Sequence, residues 1–294
     1  MRIGLLALLA MFAAGCGAVK EKEKVQAPQT YLEAKIATDA ELIELVNDTY
    51  ADIESIAVAR FDVEFTGGSL EDGYFEKYRK ASGYLVAKRP DSIFVNILNP
   101  LTKSSVLTMA SSDRIFQIWI PSKNQYVTGP SEIEREVENP VYNARPSHFI
   151  QGILMEKVDL GNTGLNYYIA EDDSGAFRFY VLVVLERDSG SSKLQLRRKI
   201  WIERSSLQIR RQQYFRDSRV ESDISYGPSV LIGNRLIPTT VRIERPLDRY
   251  SINFEIKTES VTLNRELRPG VFTVPKPPGA EVIRVEDENV EADN

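Results

Sequence analysis

The chain has 294 residues, of which 43% are apolar and 27% charged, values typical of a globular protein with enough apolar material for a sizeable core. Its net charge of -5 argues against a nucleic-acid-binding protein, whose surface would be basic. One cysteine and one histidine argue against a Cys/His zinc site, a disulfide framework and a Cys-His catalytic pair. We therefore expect no metal, no cofactor and no catalytic residue.

The amino terminus has the pattern of a bacterial secretion signal over residues 1–15. Its apolar run, residues 3–12, is too short to span a bilayer as a permanent helix. Small residues then precede Cys16, which resembles the lipobox of bacterial lipoproteins and implies that Cys16 is acylated as the first mature residue. Gly17 stands where an aspartate would signal inner-membrane retention. We expect a lipid-anchored domain at the bacterial outer membrane, facing the periplasm.

Residues 16–36 are expected to form the lipidated cysteine and a flexible tether. They hold few large apolar side chains, so they cannot bury enough surface to fold. A flexible tether of this length spans roughly 25 Å. One folded domain is expected over residues 37–285, and an acidic disordered tail over residues 286–294.

An amphipathic helix is predicted over residues 39–56, because apolar residues recur near helical spacing after an N-cap at Thr38 or Asp39. A half-buried strand follows over residues 60–66, where apolar and charged residues alternate strictly. Residues 82–127 have the pattern of a meander of short antiparallel strands, separated by turn signals.

One turn of this meander is unusual. Leu101 occupies a position where turn chemistry favours Gly, Asn or Asp. The sequence leaves two alternatives open: a leucine exposed at the tip of a loop, or a leucine that is packed, either folded back onto its own hairpin or under the tether.

Helices are predicted again in the middle of the chain, one starting over residues 131–134 and one over residues 146–154. Strands then resume over residues 165–170, 176–186, 193–202, 207–215, 219–226, 237–245 and 250–261, while the prolines of residues 272–279 exclude a central strand. About ten or eleven strands with hairpin-length gaps predict a mainly β (α+β) fold with a single curved antiparallel sheet. We expect an open half-barrel covered by the N-terminal helix and one or two short lid helices. Its interior is either a packed core or a ligand cavity.

Several short motifs follow one another along the chain: Gly83-Tyr84-Leu85, Lys88-Arg89-Pro90, Asn99-Pro100-Leu101, residues 148–154, Trp201-Ile202-Glu203, Ile237-Pro238-Thr239 and Phe272-Thr273-Val274-Pro275. In this order they resemble the LolA/LolB family of outer-membrane lipoprotein-sorting proteins, the first four being closest to LolB, the outer-membrane receptor for lipoproteins. The resemblance covers most of residues 39–283. It implies an open half-barrel with helices as a lid, whose cavity holds the acyl chains of a lipoprotein in transit.

Two sets of site residues follow from this resemblance. Leu101, preceded by Pro100, matches the protruding leucine with which LolB passes its cargo into the membrane, although Thr102 replaces the usual glycine. Apolar strand residues are expected to line the cavity, with ordinary core as the alternative: Phe61, Val63, Phe65, Phe177, Phe179, Val181, Leu194, Leu196, Ile200, Phe254 and Ile256.

Two further features have simpler interpretations. A basic cluster on neighbouring strands could meet anionic head groups, or could be a solvated surface balanced by carboxylates, the alternative that we favour: Arg197, Arg198, Lys199, Arg210 and Arg211. His148 is expected to lie at the start of a helix without a catalytic role.

The leading functional hypothesis is a non-enzymatic lipoprotein that shields acyl chains in the half-barrel and receives lipoproteins or lipids, or inserts them into the outer membrane. Its expected partners are those acyl chains, the outer membrane through the Cys16 anchor and a periplasmic LolA-like carrier, and the protein is expected to be a monomer. The alternative is a structural or scaffolding envelope lipoprotein that uses its sheet to bind proteins. A hydrolase has little support, since the chain has no Gly-x-Ser-x-Gly elbow.

Overall fold

The computed structural model describes residues 33–69, 74–77, 80–131, 143–159, 162, 164–173, 177–187 and 193–285. Five predictions lie wholly or mostly outside the described residues: the signal peptide, the acylation of Cys16, the flexible tether up to residue 32, the helix that begins at residue 131, and the acidic tail. The described end of the predicted tether contacts the folded domain, since the Lys35 backbone N–H donates to the Arg204 carbonyl oxygen at 2.9 Å.

Two α-helices are formed by the described residues, α1 (Asp39–Asp48) and α2 (Pro146–Ile153). Thr38 caps α1 in a capping box with Glu41, which satisfies two backbone donors at the helix start. The prediction that this helix reaches residue 56 is wrong, because the chain turns after Asp48 and enters the first strand. Two short 3-10 turns lie at Pro121–Lys123 and Thr258–Ser260.

The described residues form 18 strands. Those before α2 are β1 (Ser55–Ser69), β2 (Tyr74–Lys77), β3 (Ala81–Lys88), β4 (Ser92–Leu98), β5 (Ser105–Ser112), β6 (Ile115–Ile120) and β7 (Gln125–Pro130). Those after it are β8 (Leu165–Asp172), β9 (Phe179–Arg187), β10 (Leu194–Glu203), β11 (Gln208–Arg216), β12 (Arg219–Tyr226), β13 (Ser229–Ile232), β14 (Arg235–Pro238), β15 (Thr240–Arg245), β16 (Tyr250–Ile256), β17 (Val261–Leu263) and β18 (Glu281–Arg284).

One large curved sheet contains 16 of these strands, in the order β18-β7-β6-β5-β4-β3-β1-β16-β15-β12-β11-β10-β9-β8, with β2 and β17 also paired to β1. Strands β13 and β14 form a separate hairpin. The meander predicted over residues 82–127 is confirmed as β3 to β7, which pair antiparallel in succession.

The prediction of a purely antiparallel sheet is wrong, as is the strand count. Strand β18 pairs parallel to β7, with Glu281 opposite Gln125. The proline-rich segment after β17 leads the chain back to β7, where β18 adds as a parallel edge strand. The strands that the count missed are mostly of three or four residues, too short for a period to show.

The main core lies between one face of the sheet and the two helices, and we call this side of the sheet the inner face. Leu42 and Val46 of α1 and Phe149 and Ile153 of α2 are buried in the same apolar cluster as residues of β1, β9, β10 and β16. A second, smaller cluster of buried apolar residues, which includes Val274, is separate from the main core. Val274 is fixed there because its N–H donates to Gln117 Oε1 at 2.7 Å.

Candidate functional site

The centre of the inner face is aromatic. Phe61 of β1 and Phe254 of β16 meet edge to face with ring centroids 5.2 Å apart. Phe149 of α2 packs against Phe254 in a similar way, at 5.4 Å. All three rings are almost fully buried, so the sheet and the helix meet in a tightly packed aromatic layer.

Helix α2 lies flush against the sheet. A Cβ atom on Gly152 would come within 2.8 Å of Ile243 Cδ1 and 3.3 Å of Val241 Cγ1, so glycine is needed for the helix to approach β15 this closely while Ile243 is present. Ile150, Ile153 and Leu154 are buried on either side of this contact. The apolar side chains of α2 therefore occupy the space above the inner face.

The space that remains beside the helix is small. A cavity of about 60 Å³ lies between the end of α1, Met155 and the β13–β14 hairpin, with Tyr50, Tyr226 and Leu236 in its wall. Since a water molecule occupies about 30 Å³ in the liquid, this cavity holds one or two waters and no acyl chain. Around this cavity the buried apolar side chains of the described residues form one packed core.

Polar side chains hold the backbone of residues 146–158, which we call the covering segment. Arg89 Nη2 donates to the Met155 carbonyl oxygen at 2.8 Å, and Arg198 Nη1 donates to that of Glu156 at 2.9 Å. Gln212 Nε2 donates to the Gln151 carbonyl oxygen at 3.0 Å. Asn47 of α1 pairs with both backbone groups of Val158, at 2.7 and 3.1 Å. Four separate side chains thus close the segment over the inner face.

Arg198 is an unusual member of this group. It is only 5% exposed, and within the described part of the chain it forms no ion pair with a carboxylate. Its other contacts are Gln212 Oε1 at 2.6 Å and the face of the Tyr214 ring at 5.0 Å. Burial raises the pKa of Tyr214 to about 12, so its hydroxyl stays neutral and supplies no negative charge. Dipoles and a ring thus solvate the charge of Arg198 only in part, because its buried Nε has no hydrogen-bond partner among the described residues.

A second polar network anchors the start of α2. His148 Nε2 lies 3.1 Å from Arg245 Nη2, and Nδ1 lies 2.6 Å from the Tyr250 hydroxyl oxygen. Because a guanidinium group only donates, Nε2 accepts, and the neutral imidazole carries its proton on Nδ1 and donates to Tyr250. Burial, together with the charges of Arg245, Arg145 and Arg216, lowers the pKa of His148 well below its usual value.

The predicted cavity-lining residues divide between the two faces of the sheet. Phe61, Val63 and Phe65 pair with Ile256, Phe254 and Ile252 across β1 and β16, and all six pack in or against the main core. Ile200 also belongs to this core. Of these residues, Phe254 contacts the covering segment directly, through Phe149. The others share its apolar core beneath the two helices.

The remaining members of the set do not face the main core, and for Leu194 and Leu196 the cause is a β-bulge in β10. Leu196 pairs with Leu185 and Arg198 with Val184, so the pattern shifts by one residue at Arg197. Leu194 and Leu196 therefore share the outer face with Val181, opposite to Ile200, and the sequence interpretation that placed them on one face is wrong. Phe179 also points to the outer face of the sheet. Phe177 precedes β9, and its side chain is 58% exposed.

The loop that joins β4 and β5 presents Leu101 to solvent, and its side chain is 88% exposed. Asn99 Oδ1 accepts from the backbone N–H groups of Leu101 and Thr102 at 2.9 and 3.1 Å, which fixes the turn. Lys103, and not Thr102, takes the left-handed conformation, with φ of 59°. The threonine is thus accommodated, and the alternative in which Leu101 folds back onto its hairpin does not occur here.

The basic cluster is mostly neutralised by neighbours. Arg210 pairs with Glu203 at 2.8 Å, Arg211 pairs with Asp223, and Arg197 lies 3.7 Å from Glu186. These contacts confirm the interpretation of a surface balanced by carboxylates for these three residues. Arg198 is the exception, because the bulge turns it inward.

The described ranges contain no group of three or more His, Cys, Asp or Glu side chains placed to hold a metal ion. No helix within the described part of the chain is both long and apolar enough to cross a membrane.

The fold resembles solved structures of low sequence identity. A DUF1329 family protein from Desulfovibrio piger is 14% identical, with 80% of this chain and 96% of that chain covered and a TM-score of 0.51. A LolA superfamily protein from Nitrosomonas europaea is 16% identical, with 81% and 99% covered and a TM-score of 0.47. A domain from Vibrio parahaemolyticus, described as an outer membrane lipoprotein-sorting protein, is 8% identical, with 78% and 95% covered and a TM-score of 0.44.

At these identities the likeness is one of fold, and of these three structures we rely on the one from Desulfovibrio piger, whose TM-score is above 0.5. No protein-family model and no curated protein sequence matches the chain.

Proposed function

We propose that the protein is a non-enzymatic lipoprotein of the bacterial outer membrane that shields acyl chains on the inner face of its sheet, which then acts as an open half-barrel. In this proposal Cys16 anchors the chain, the domain faces the periplasm as a monomer, and a periplasmic LolA-like carrier delivers lipoproteins or lipids. The order of the sequence motifs supports this function. The observation that carries it is the covering segment, which fills the apolar inner face without being part of the sheet.

The energetics of such an exchange are nearly balanced. Moving the covering segment exposes six buried apolar side chains, which costs about 1.5–3 kcal/mol each, or about 9–18 kcal/mol together: Phe149, Ile150, Ile153, Leu154, Met155 and Val158. An acyl chain of about sixteen carbons that takes their place contributes about 0.8 kcal/mol per methylene, or about 13 kcal/mol. No nucleotide is needed, because one apolar filling replaces another.

Release into a membrane would use Leu101. Burying one leucine contributes about 1.5–3 kcal/mol, enough for a transient contact with a bilayer and too little to hold the domain there. A rigid turn supports this role, since a fixed tip loses little entropy on insertion.

The test is a titration of the full chain carrying Cys16→Ser with a fluorescent fatty acid, combined with mass spectrometry of lipids that accompany the purified protein. We expect saturable binding, and release of the fatty acid when vesicles are added. If the purified protein carries no lipid and binds no fatty acid, its own side chains fill the interior at all times, and the proposal is excluded.

A second candidate function, a scaffolding lipoprotein, is favoured by one surface. β8 ends the sheet, and within the described residues it pairs only with β9 in an unbroken register. Tyr168 of β8 is 52% exposed and Leu194 of β10 is 43% exposed on the same face. An unprotected edge strand with exposed apolar side chains suits strand addition by another protein. A stoichiometric protein partner that accompanies the chain in the absence of lipid would favour this alternative.

A further inference from the structure

A cleft opens directly beside the loop that carries Leu101. It has a volume of about 300 Å³ and is lined by Arg60, Asp62, Lys80, Ala81, Ser82, Pro100 and Lys103. Residues of β1, β3 and the β4–β5 loop thus meet around a space large enough for a phosphate group. Five of its seven lining residues carry a polar or charged group, unlike those of the inner face of the sheet.

The charges around the cleft do not cancel. Lys80 pairs with Glu255, and it lies 3.8 Å from Asp62. Lys257 Nζ lies 3.1 Å from both Asp62 Oδ2 and Glu255 Oε1. These two lysines and two carboxylates therefore neutralise one another in a closed network on the wall of the cleft.

Two cations of the cleft remain outside that network. The side chains of Arg60 and Lys103 form no ion pair or hydrogen bond with any residue that the structure describes, and both are exposed. The group as a whole has four cations against two carboxylates, a net charge of +2. An anion in the cleft would meet Arg60 from β1 and Lys103 from the loop.

The cations and the apolar tip are held in a fixed relation. Asn99 binds the backbone of Leu101 and Thr102, and its carbonyl oxygen accepts from the Lys103 N–H at 3.0 Å. Leu101 points into solvent only two residues from Lys103. A bilayer surface has the complementary arrangement, with phosphate groups above an apolar interior.

We infer that this cleft binds the phosphate group of an anionic phospholipid in a bilayer while Leu101 enters the acyl region beneath it. The inference rests on the proposed function, because it assumes that the Leu101 loop meets a membrane. It adds a lipid specificity to that function. The loop binds preferentially to bilayers with anionic head groups, because Arg60 and Lys103 bind the phosphate groups.

The experiment uses the full chain carrying Cys16→Ser and Thr102→Cys, labelled at residue 102 with an environment-sensitive fluorophore. Leu101 is retained, and the emission reports the polarity at the loop. Vesicles of phosphatidylcholine alone are compared with vesicles that also contain phosphatidylglycerol. Binding of the loop to the anionic vesicles is expected to weaken about fivefold for Arg60→Gln or Lys103→Gln and about 25-fold for both together.

Arg114→Gln is the matched control. Arg114 is an exposed arginine in the turn after β5, at the opposite end of the strand that follows the Leu101 loop, and it lines another cleft with Asp113 and Arg284. Its removal changes the net charge by the same amount and is expected to leave the emission shift unchanged. Equal losses for Arg114→Gln and Lys103→Gln would reduce the effect to net charge and overturn the inference.

Two further outcomes are decisive. Identical emission shifts on neutral and anionic vesicles would overturn the head-group site. Inorganic phosphate added at fixed ionic strength should not prevent the loop from binding to anionic vesicles. If phosphate abolishes the emission shift, the cleft is a site for free phosphate and the inference is overturned. Fatty-acid binding measured without vesicles tests the proposed function alone. Failure of the proposed function can therefore be distinguished from failure of the head-group inference.

Discussion

Replacing Arg198 by methionine is expected to loosen the covering segment while the sheet remains folded. Arg198 Nη1 is the donor for the Glu156 carbonyl oxygen, at 2.9 Å. Methionine retains a long apolar side chain for the contact with Tyr214 but cannot donate, so the carbonyl oxygen loses its partner. A hydrogen bond from a charged donor contributes about 1.5–3 kcal/mol.

This magnitude translates into a population. A change of about 1.5–3 kcal/mol raises the fraction of molecules with an open covering segment about 10- to 150-fold. If acyl chains bind only the open form, the apparent Kd for a fluorescent fatty acid falls by the same factor. Hydrogen exchange of the amides of residues 151–158 measures the opening, and the fatty-acid titration measures its consequence.

Arg211→Met is the control, because Arg211 stacks on Trp201 at 4.9 Å on the outer face of the neighbouring strand and makes no contact with the covering segment. It should change neither exchange nor affinity. The reasoning is refuted if Arg198→Met leaves the exchange of residues 151–158 unchanged relative to the strands, or if exchange rises while the affinity for the fatty acid stays the same.

Three other outcomes are expected. Leu101→Glu should leave the free energy of unfolding within about 0.5 kcal/mol and fatty-acid binding intact while slowing release into liposomes, and an unfolded variant would contradict the exposed loop. The free energy of unfolding should fall by about 1.4 kcal/mol per pH unit below about pH 6.5, because unfolded His148 takes a proton that the buried imidazole, with its lowered pKa, refuses. Urea titrations at several pH values should show that this dependence on pH is weaker in His148→Gln. An unchanged dependence would mean that other titratable groups cause it. Thr38→Ala should cost about 1 kcal/mol in urea unfolding through loss of the cap on α1, and no change would mean that solvent replaces it.

The inward face of a strand was predictable where an uninterrupted period separates apolar from charged residues, as in β1. In β9 the period is also uninterrupted, but both faces are buried, so the alternation did not show which face lies inward. The alternation of Phe61, Val63 and Phe65 placed three residues correctly on one face, because β1 and β16 pair without a shift over that stretch. In β10 the same rule failed at Arg197. A bulge adds a residue that the alternation does not show, and every residue before it changes face.

The first helix shows a related limit. Ile53 and Ile56 continue the helical spacing of α1, yet Ile53 is buried in a turn and Ile56 in β1. Burial near the end of an element depends on the packing of the whole domain, so the apolar pattern does not mark where the helix stops. The N-cap could be predicted because its signal is local, in Thr38 and Glu41.

The contacts that close the covering segment could not be predicted. Arg89, Arg198, Gln212 and Asn47 donate to backbone carbonyl oxygens, and a carbonyl acceptor has no signature in the sequence. Arg198 was grouped with surface cations for this reason. The only local signal was its position beside a bulge, which becomes visible once the strands are paired.

Locking the covering segment to the sheet tests the central claim most directly. Gly152 Cβ would lie 3.1 Å from Ile243 Cγ1, close to the separation of roughly 3 Å between Cβ and the distant sulfur of a disulfide, so Gly152→Cys with Ile243→Cys in the Cys16→Ser chain should form one. We predict that the oxidised protein loses fatty-acid binding and that a reductant restores it. Equal binding by the oxidised and reduced forms would contradict the claim that acyl chains take the place of α2.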